Sequence, residues 1–155
     1  LAVRMGSLPD SGLIARKLGS LSRSLYASPG YLVQNGNPGN PDELTDHECI
    51  GMRQDKPGHW HLYREESRIS IRTSGRFQMN SIGMMRRFAS MGAGIAILPD
   101  KIVGEDVADN KLTRVLPDWK AEAVTVYALT ETRLLPAKTQ VFIEFMREKL
   151  SEKAD

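Results

Sequence analysis

Two groups of residues have the types and spacing to do chemistry. The first is His47, Cys49, His59 and His61. Imidazole nitrogens and a thiolate are zinc ligands, and two close pairs make up a tetrahedral set on paper. The spacing argues against it. His-x-Cys and His-x-His place partners two apart on extended segments, with no paired-cysteine spacing around them. Alternation in "HWHLY" turns Trp60 and Leu62 inward and leaves His59 and His61 facing solvent. No metal is expected. The second group is Asn80-Ser81, which opens the stretch "NSIGMMRRFASMGAGIAILPD". Small polar residues stand there at the start of a helix. The unpaired N–H groups of a helix start and its dipole favour an anion such as a carboxylate or phosphate. Two readings stay open: Asn80 or Ser81 only caps the helix, or it caps the helix and also meets a ligand.

Catalytic arrangements find no support. No GxSxG nucleophile elbow is present, and no Ser/His/Asp order stands in such a context. Glu65-Glu66 falls in a charged turn and reads as a solvated face. The "GAG" at 92–94 follows a helix, whereas a dinucleotide fingerprint must follow a strand. Gly92 and Gly94 are therefore read as structural, one as a helix cap and one as a point of close chain approach. No catalytic residue and no cofactor are expected.

Composition bounds the class. The 155 residues suffice for one domain with a core, and hydrophobic and charged residues stand at 41% and 26%. Twenty-one basic against 19 acidic residues leave a net charge of +2. That balance gives no strong pull toward nucleic acid or an anionic membrane. The single cysteine excludes an internal disulfide and fits a reducing cytoplasm. No apolar run approaches the ~18 residues of a membrane span. The opening "LAVRMG" reads as mid-strand, so the sequence is expected to be part of a longer one.

These residues must be positioned by strands and helices in alternation. "LAVRM" (1–5) reads as a buried strand, followed by a turn cluster at 6–12. Gly19 is expected to interrupt "LIARKLG", and "SRSLYAS" (22–28) to form a separate strand. A helical turn or two is expected in 30–36, and Pro41 should start a short helix. "ECIGM", "HWHLY", "RISIR", "RFQMN", "AGIAILP", "LTRVLPDW" and "AEAVTVYALTE" read as strands. Residues 81–90 form the clearest helix, with Ile82, Met85, Phe88 and Ala89 on its buried face and Arg86-Arg87 outward. Met79 and Ile82 are assigned to the core. A short helix follows Pro99. The last helix, 136–153, is given a buried stripe of Val141, Phe142, Phe145, Met146 and Lys149 or Leu150. The sum is α/β, an open sheet with crossover helices, in which ligands bind beyond the carboxyl ends of strands.

The same stretch, 80–100, resembles the strand–helix–Gly–strand segment in the effector-binding domain of LysR-type transcriptional regulators. Residues 1–50 resemble the part of that family's chain that crosses between lobes, and "TVYALTETRLLPAKTQVFIEFMREKL" resembles the returning strand and closing helix. The three pieces occur in order and cover essentially the whole chain.

The resemblance implies a two-lobed fold like that of type-2 periplasmic binding proteins, with the second lobe complete and the first partial. Residues 1–24 would belong to the first lobe, 25–125 would form the second, and 126–155 would return to the first. "SRSLYAS" and "AVTVYALT" would be the hinge strands. Asn80 and Ser81 match the family's effector-facing position. Arg4, Met5, Gly6 and Ser7 match the strand end and loop opposite, where an ordinary turn with a surface arginine is the other reading. The implied partner is a small-molecule effector, a carboxylate by the chemistry of a helix start. DNA would be met only through an N-terminal domain outside this sequence. A homo-oligomer, dimer or tetramer, and a cytoplasmic location follow, with no membrane. Surfaces such as that of Arg86-Arg87 can join subunits in this family, or simply face solvent. One cysteine is too few for the two-cysteine peroxide sensing used by some members. A stand-alone small-molecule binding protein of similar fold is the alternative function.

Overall fold

The computed structural model describes residues 1–8, 10–53 and 58–151. Pro9 of the expected turn at 6–12 and residues 152–153 of the expected last helix lie outside the described residues. The chain divides into two compact units, Leu1–Leu21 with Ala123–Asp155, and Ser22–Glu122. The first is called unit 1 and the second unit 2.

In unit 1, β1 (Ala2–Met5) pairs antiparallel with β9 (Lys120–Thr130), from Ala2 opposite Leu129 to Met5 opposite Val126. The last helix of the described residues, α4 (Ala137–Ser151), closes a cluster of Leu18, Leu21, Val126, Ala128 and Ile143. All four residues of β1 are exposed, so the expectation of a buried strand is corrected.

The stripe expected on α4 is corrected as well. Ile143 is its buried residue, with Met146 and Leu150 packed beside it. Val141 and Phe145 remain 64% and 52% exposed. The segment holds apolar residues on two adjoining stripes, and the helix turns the Ile143 stripe inward.

The strand expected to break at Gly19 is continuous. β2 runs from Ile14 to Ala27, through Gly19 and into "SRSLYA". Gly19 is there for space rather than as a break. A Cβ at this position would lie 2.8 Å from Leu150 Cβ, so glycine lets α4 press onto the strand.

In unit 2, β2 pairs antiparallel with β7 (Ile95–Pro99) and with β8 (Thr113–Val115). β3 (Cys49–Met52) runs parallel to β7 and to the two-residue β6 (Gln78–Met79). β4 (His59–Arg64) and β5 (Ser67–Arg72) form a hairpin around Glu65-Glu66, and β4 also pairs with the start of β9. "RFQMN" and "LTRVLPDW" therefore give much shorter strands than their apolar patterns suggest. In the second, Leu116 has φ 49, a left-handed conformation that ends the ladder one residue after Val115.

Strand alternation sends side chains to two cores. Leu25 and Ala27 join Tyr31, Leu44, Cys49, Trp60, Leu62 and Ile95. Tyr26 joins Ile50, Ala96, Leu98, Met85 and Ala89 on the other face. The first core is covered by α1 (Pro29–Asn35) and the 3-10 helix Pro41–Asp46. The second is covered by α2 (Ile82–Ser90) and α3 (Asp100–Ala108). Covering both faces is what a partly parallel sheet requires.

Candidate functional site

The start of α2 follows directly from the pairing of two strands. β6 lies in register with β3, with Gly51 opposite Gln78 and Met52 opposite Met79. Just beyond, Arg53 N–H donates to the Met79 carbonyl at 2.7 Å. The chain then turns through Asn80, which is exposed, and Ser81, whose φ −133 and ψ 121 are extended. Ser81 is the N-cap. Its Oγ accepts from Met84 N at 3.4 Å, and its carbonyl accepts from Met85 N at 3.0 Å.

The N–H groups of Ile82 and Gly83 lie too early in the helix to have an intrahelical acceptor. Gly83 is exposed, and the nearest group to a Cβ placed on it would be Ser81 Oγ at 3.7 Å. Both donors thus stand at the positive end of the helix dipole, and Ser81 still has its hydroxyl proton to give. The helix is held firmly behind them. Met85 and Ala89 are buried, and Phe77 meets Phe88 edge-on with ring centroids 5.2 Å apart. Met79 and Ile82 pack against the same core, as their spacing predicts.

At its other end α2 stops through Gly92, at φ 85, with Ala93 N–H reaching back to the Phe88 carbonyl at 3.0 Å. The outward placement of Arg86 is corrected. Its Nε pairs with the Asp106 carboxylate of α3, and that hydrogen bond raises the arginine's pKa above its ordinary value. Arg87 is exposed.

The other candidate residues lie in unit 1. Arg4 and Met5 end β1, exposed, and Gly6 follows at φ 87, a conformation that favours glycine. Gly6 N–H donates to the Thr125 carbonyl at 3.0 Å, which ties the loop to β9, and Ser7 is exposed beside it. Asn80 and Ser81 are thus neighbours at one strand end of unit 2, and Arg4 to Ser7 are neighbours at one strand end of unit 1.

The histidines and the cysteine are dispersed to other tasks. His47 ends the 3-10 helix and is buried, with Nδ1 3.0 Å from the Tyr31 hydroxyl. That hydroxyl also accepts from Glu48 N at 3.0 Å. Cys49 is buried, its Sγ 3.7 Å from the Leu44 carbonyl, and burial pushes its pKa up to about 12. His59 and His61 are exposed on β4, while Trp60 and Leu62 point into the core. Among the described residues no three His, Cys, Asp or Glu come together as a metal site. No helix of the described residues is long and apolar enough to cross a membrane.

Ser24, Tyr26, Asp100 and Arg114 belong to no motif that marks them in the sequence. Tyr26 donates from its hydroxyl to Asp100 Oδ1 at 2.8 Å, and Tyr26 stands opposite Arg114 across β2 and β8. The one signal available was the alternation in "SLY", which puts Ser24 and Tyr26 on a common face.

The LysR substrate binding domain family matches residues 1–151. The HTH-type transcriptional regulator PtxR of Pseudomonas aeruginosa is 36% identical over 152 residues, covering 97% of this chain and 49% of that protein. The HTH-type transcriptional activator AaeR of Escherichia coli is 33% identical over 155 residues, covering 98% and 50%. The chain spans about half the length of the curated relatives it matches. Among solved structures, the regulatory domain of CrgA from Neisseria meningitidis superposes with a TM-score of 0.78 at 29% identity, covering 96% of this chain and 74% of that one. The regulatory domain of AphB from Vibrio vulnificus gives 0.68 at 34% identity, with 95% and 73% covered.

Proposed function

The chain belongs to the LysR substrate-binding domain family, and on that premise we propose that it is the effector-sensing part of a transcriptional regulator. A small anionic metabolite, a carboxylate by its chemistry, enters a cleft between two lobes, and its greater affinity for the closed state shifts the population toward it. Asn80, Ser81 and the first N–H groups of α2 receive the anion on one lobe. Arg4, Met5, Gly6 and Ser7 meet it from the other. The change passes to an N-terminal DNA-binding domain in a cytoplasmic homo-oligomer, and the chain itself performs no catalysis.

The observation that carries this reading is the start of α2. Ile82 and Gly83 keep two donors open beside a serine whose Oγ already serves the cap through Met84. A ligand there adds to the cap instead of competing with it.

The test is Ser81→Trp in the full-length regulator, followed by effector-dependent reporter output and by circular dichroism. A bulky side chain at the helix start should abolish the response while the fold and basal DNA binding persist. A response that survives intact would show that the effector does not bind there. A companion screen of mono- and dicarboxylates by thermal shift should give a carboxylate hit that Ser81→Trp loses. Hits confined to neutral compounds would contradict the anionic class.

A further inference from the structure

Arg114, on β8, is the cross-strand neighbour of Tyr26. Its Nε and Nη2 are buried and have no hydrogen-bond partner. Those two nitrogens form one edge of the guanidinium, the edge that meets an oxyanion through two parallel N–H···O bonds. Ser24 lies two residues before Tyr26 on the same face of β2. It is fully buried, and its hydroxyl meets no partner at hydrogen-bond geometry, although it stands close enough to the Tyr26 hydroxyl to lower that phenol's pKa. The Tyr26 hydroxyl is already committed to Asp100. Burial, with Asp100 adding to it, holds that phenol well above its ordinary pKa, and Arg114 and then the Ser24 hydroxyl act in the opposite direction. Arg114 is therefore within electrostatic reach of the Tyr26–Asp100 pair.

A buried charged donor with no acceptor is costly, and folded proteins fill such gaps with water or an ion. The guanidinium edge offers donors only and carries a charge. An oxyanion offers acceptors only and carries the opposite charge, whereas a water is neutral and brings two hydrogens of its own. We propose that Arg114 and Ser24 hold a small oxyanion, a carboxylate or a tetrahedral oxoanion, in a buried site of unit 2 built on β2 and β8. This site shares no residue with the start of α2 and goes beyond the effector reading. Asp100 keeps its charge while accepting from Tyr26, so a direct Arg114–Asp100 pair is the arrangement that competes with a bound anion.

The experiment is thermal melting of the intact protein while chloride is replaced, at constant ionic strength and pH 7, by acetate in one series and by phosphate in the other. A saturable rise in Tm is expected with one of them, roughly 5–10 °C at about 100 times the dissociation constant. The anion that saturates lower distinguishes a planar carboxylate from a tetrahedral oxoanion. The rise should persist in Ser81→Trp, which closes the effector site. On that background it should vanish on adding Arg114→Gln and persist on adding Arg87→Gln. No saturable rise on the Ser81→Trp background, or an equal rise there with Arg114→Gln added, overturns the proposal. Should Arg114→Gln fail to fold, crystals of the unmodified protein grown with each anion decide. Density for the anion within hydrogen-bond distance of Nε and Nη2 supports the site. A water there, or a direct Arg114–Asp100 ion pair, overturns it.

Discussion

A Cβ at Gly94 would stand 2.3 Å from the Glu48 carbonyl oxygen, the same oxygen that accepts from Ile95 N–H at 2.9 Å. The loop after α2 therefore presses against the entry to β3, and only a hydrogen fits between them. This contact fixes where β7 joins β3, with Cys49 opposite Ile95.

Gly94→Ala should accordingly destabilise the fold by about 2–3 kcal/mol, since the obstructing atom is backbone and has little room to give. Urea unfolding checks this. A change within about 0.5 kcal/mol, the range of an ordinary surface substitution, would mean that the loop relaxes freely.

Cys49 gives a prediction about pH. Burial disfavours its thiolate, so the folded pKa is raised to about 12, above the ordinary thiol value. The sign follows from which state ionises first. Below pH ~8.5 the thiol is neutral in both states and its contribution is fully present. As pH rises above ~8.5 the unfolded chain loses the proton first, and stability falls until the pH passes through the folded value near 12. Native protein at pH 8 should therefore react with a thiol reagent at least ~100-fold more slowly than urea-unfolded protein. Reaction at comparable rates would show that the thiol is accessible and not desolvated.

What could be read from the sequence depended on how many stripes a segment offered. "IGMMRRFAS" carries a single apolar face, so α2 and its buried Met85 and Ala89 follow directly from spacing. "TQVFIEFM" offers two, and choosing Val141, Phe142 and Phe145 over Ile143 is a decision that only the neighbours of α4 can make. Gly19 was ambiguous in the same way. A glycine in a strand marks either a break or a close approach, and the approach of Leu150 is a tertiary fact. At the candidate site, Ser81 is legible because a serine one residue ahead of a helical period is a cap. Arg114 is not, because what a strand arginine faces depends on cross-strand register with Tyr26, which local pattern does not encode.

The Arg86–Asp106 pair joins α2 to α3 where the sequence suggested two solvated arginines. Asp106 is buried, and Arg86 is its counterion. Arg86→Met should cost about 1–3 kcal/mol by leaving a carboxylate without its partner, tempered because the arginine itself is partly exposed. Adding Asp106→Asn should recover part of that loss. Chemical denaturation of both variants measures the coupling, and strictly additive losses would mean that the pair is not the source of the cost.

The outer stripe of α4 predicts how the chain behaves on its own. Val141 and Phe145 are 64% and 52% exposed, and Phe142 lies next to them at 37%. Three such side chains on adjoining turns make a contiguous apolar surface of the kind that promotes association in water. Replacing Phe145 by Glu removes apolar area from the centre of that surface while leaving Ile143, Met146 and Leu150 in place against β2 and β9. The 155-residue chain should therefore self-associate at concentrations on the order of tens of micromolar, and Phe145→Glu should weaken that association by about tenfold, corresponding to ~1.4 kcal/mol, without lowering Tm. Sedimentation velocity across a concentration series reads the first quantity and a thermal melt the second. Equal association in the two proteins would place the contact elsewhere. A lower Tm for Phe145→Glu would show instead that this stripe, and not only the Ile143 stripe, supports the core of unit 1.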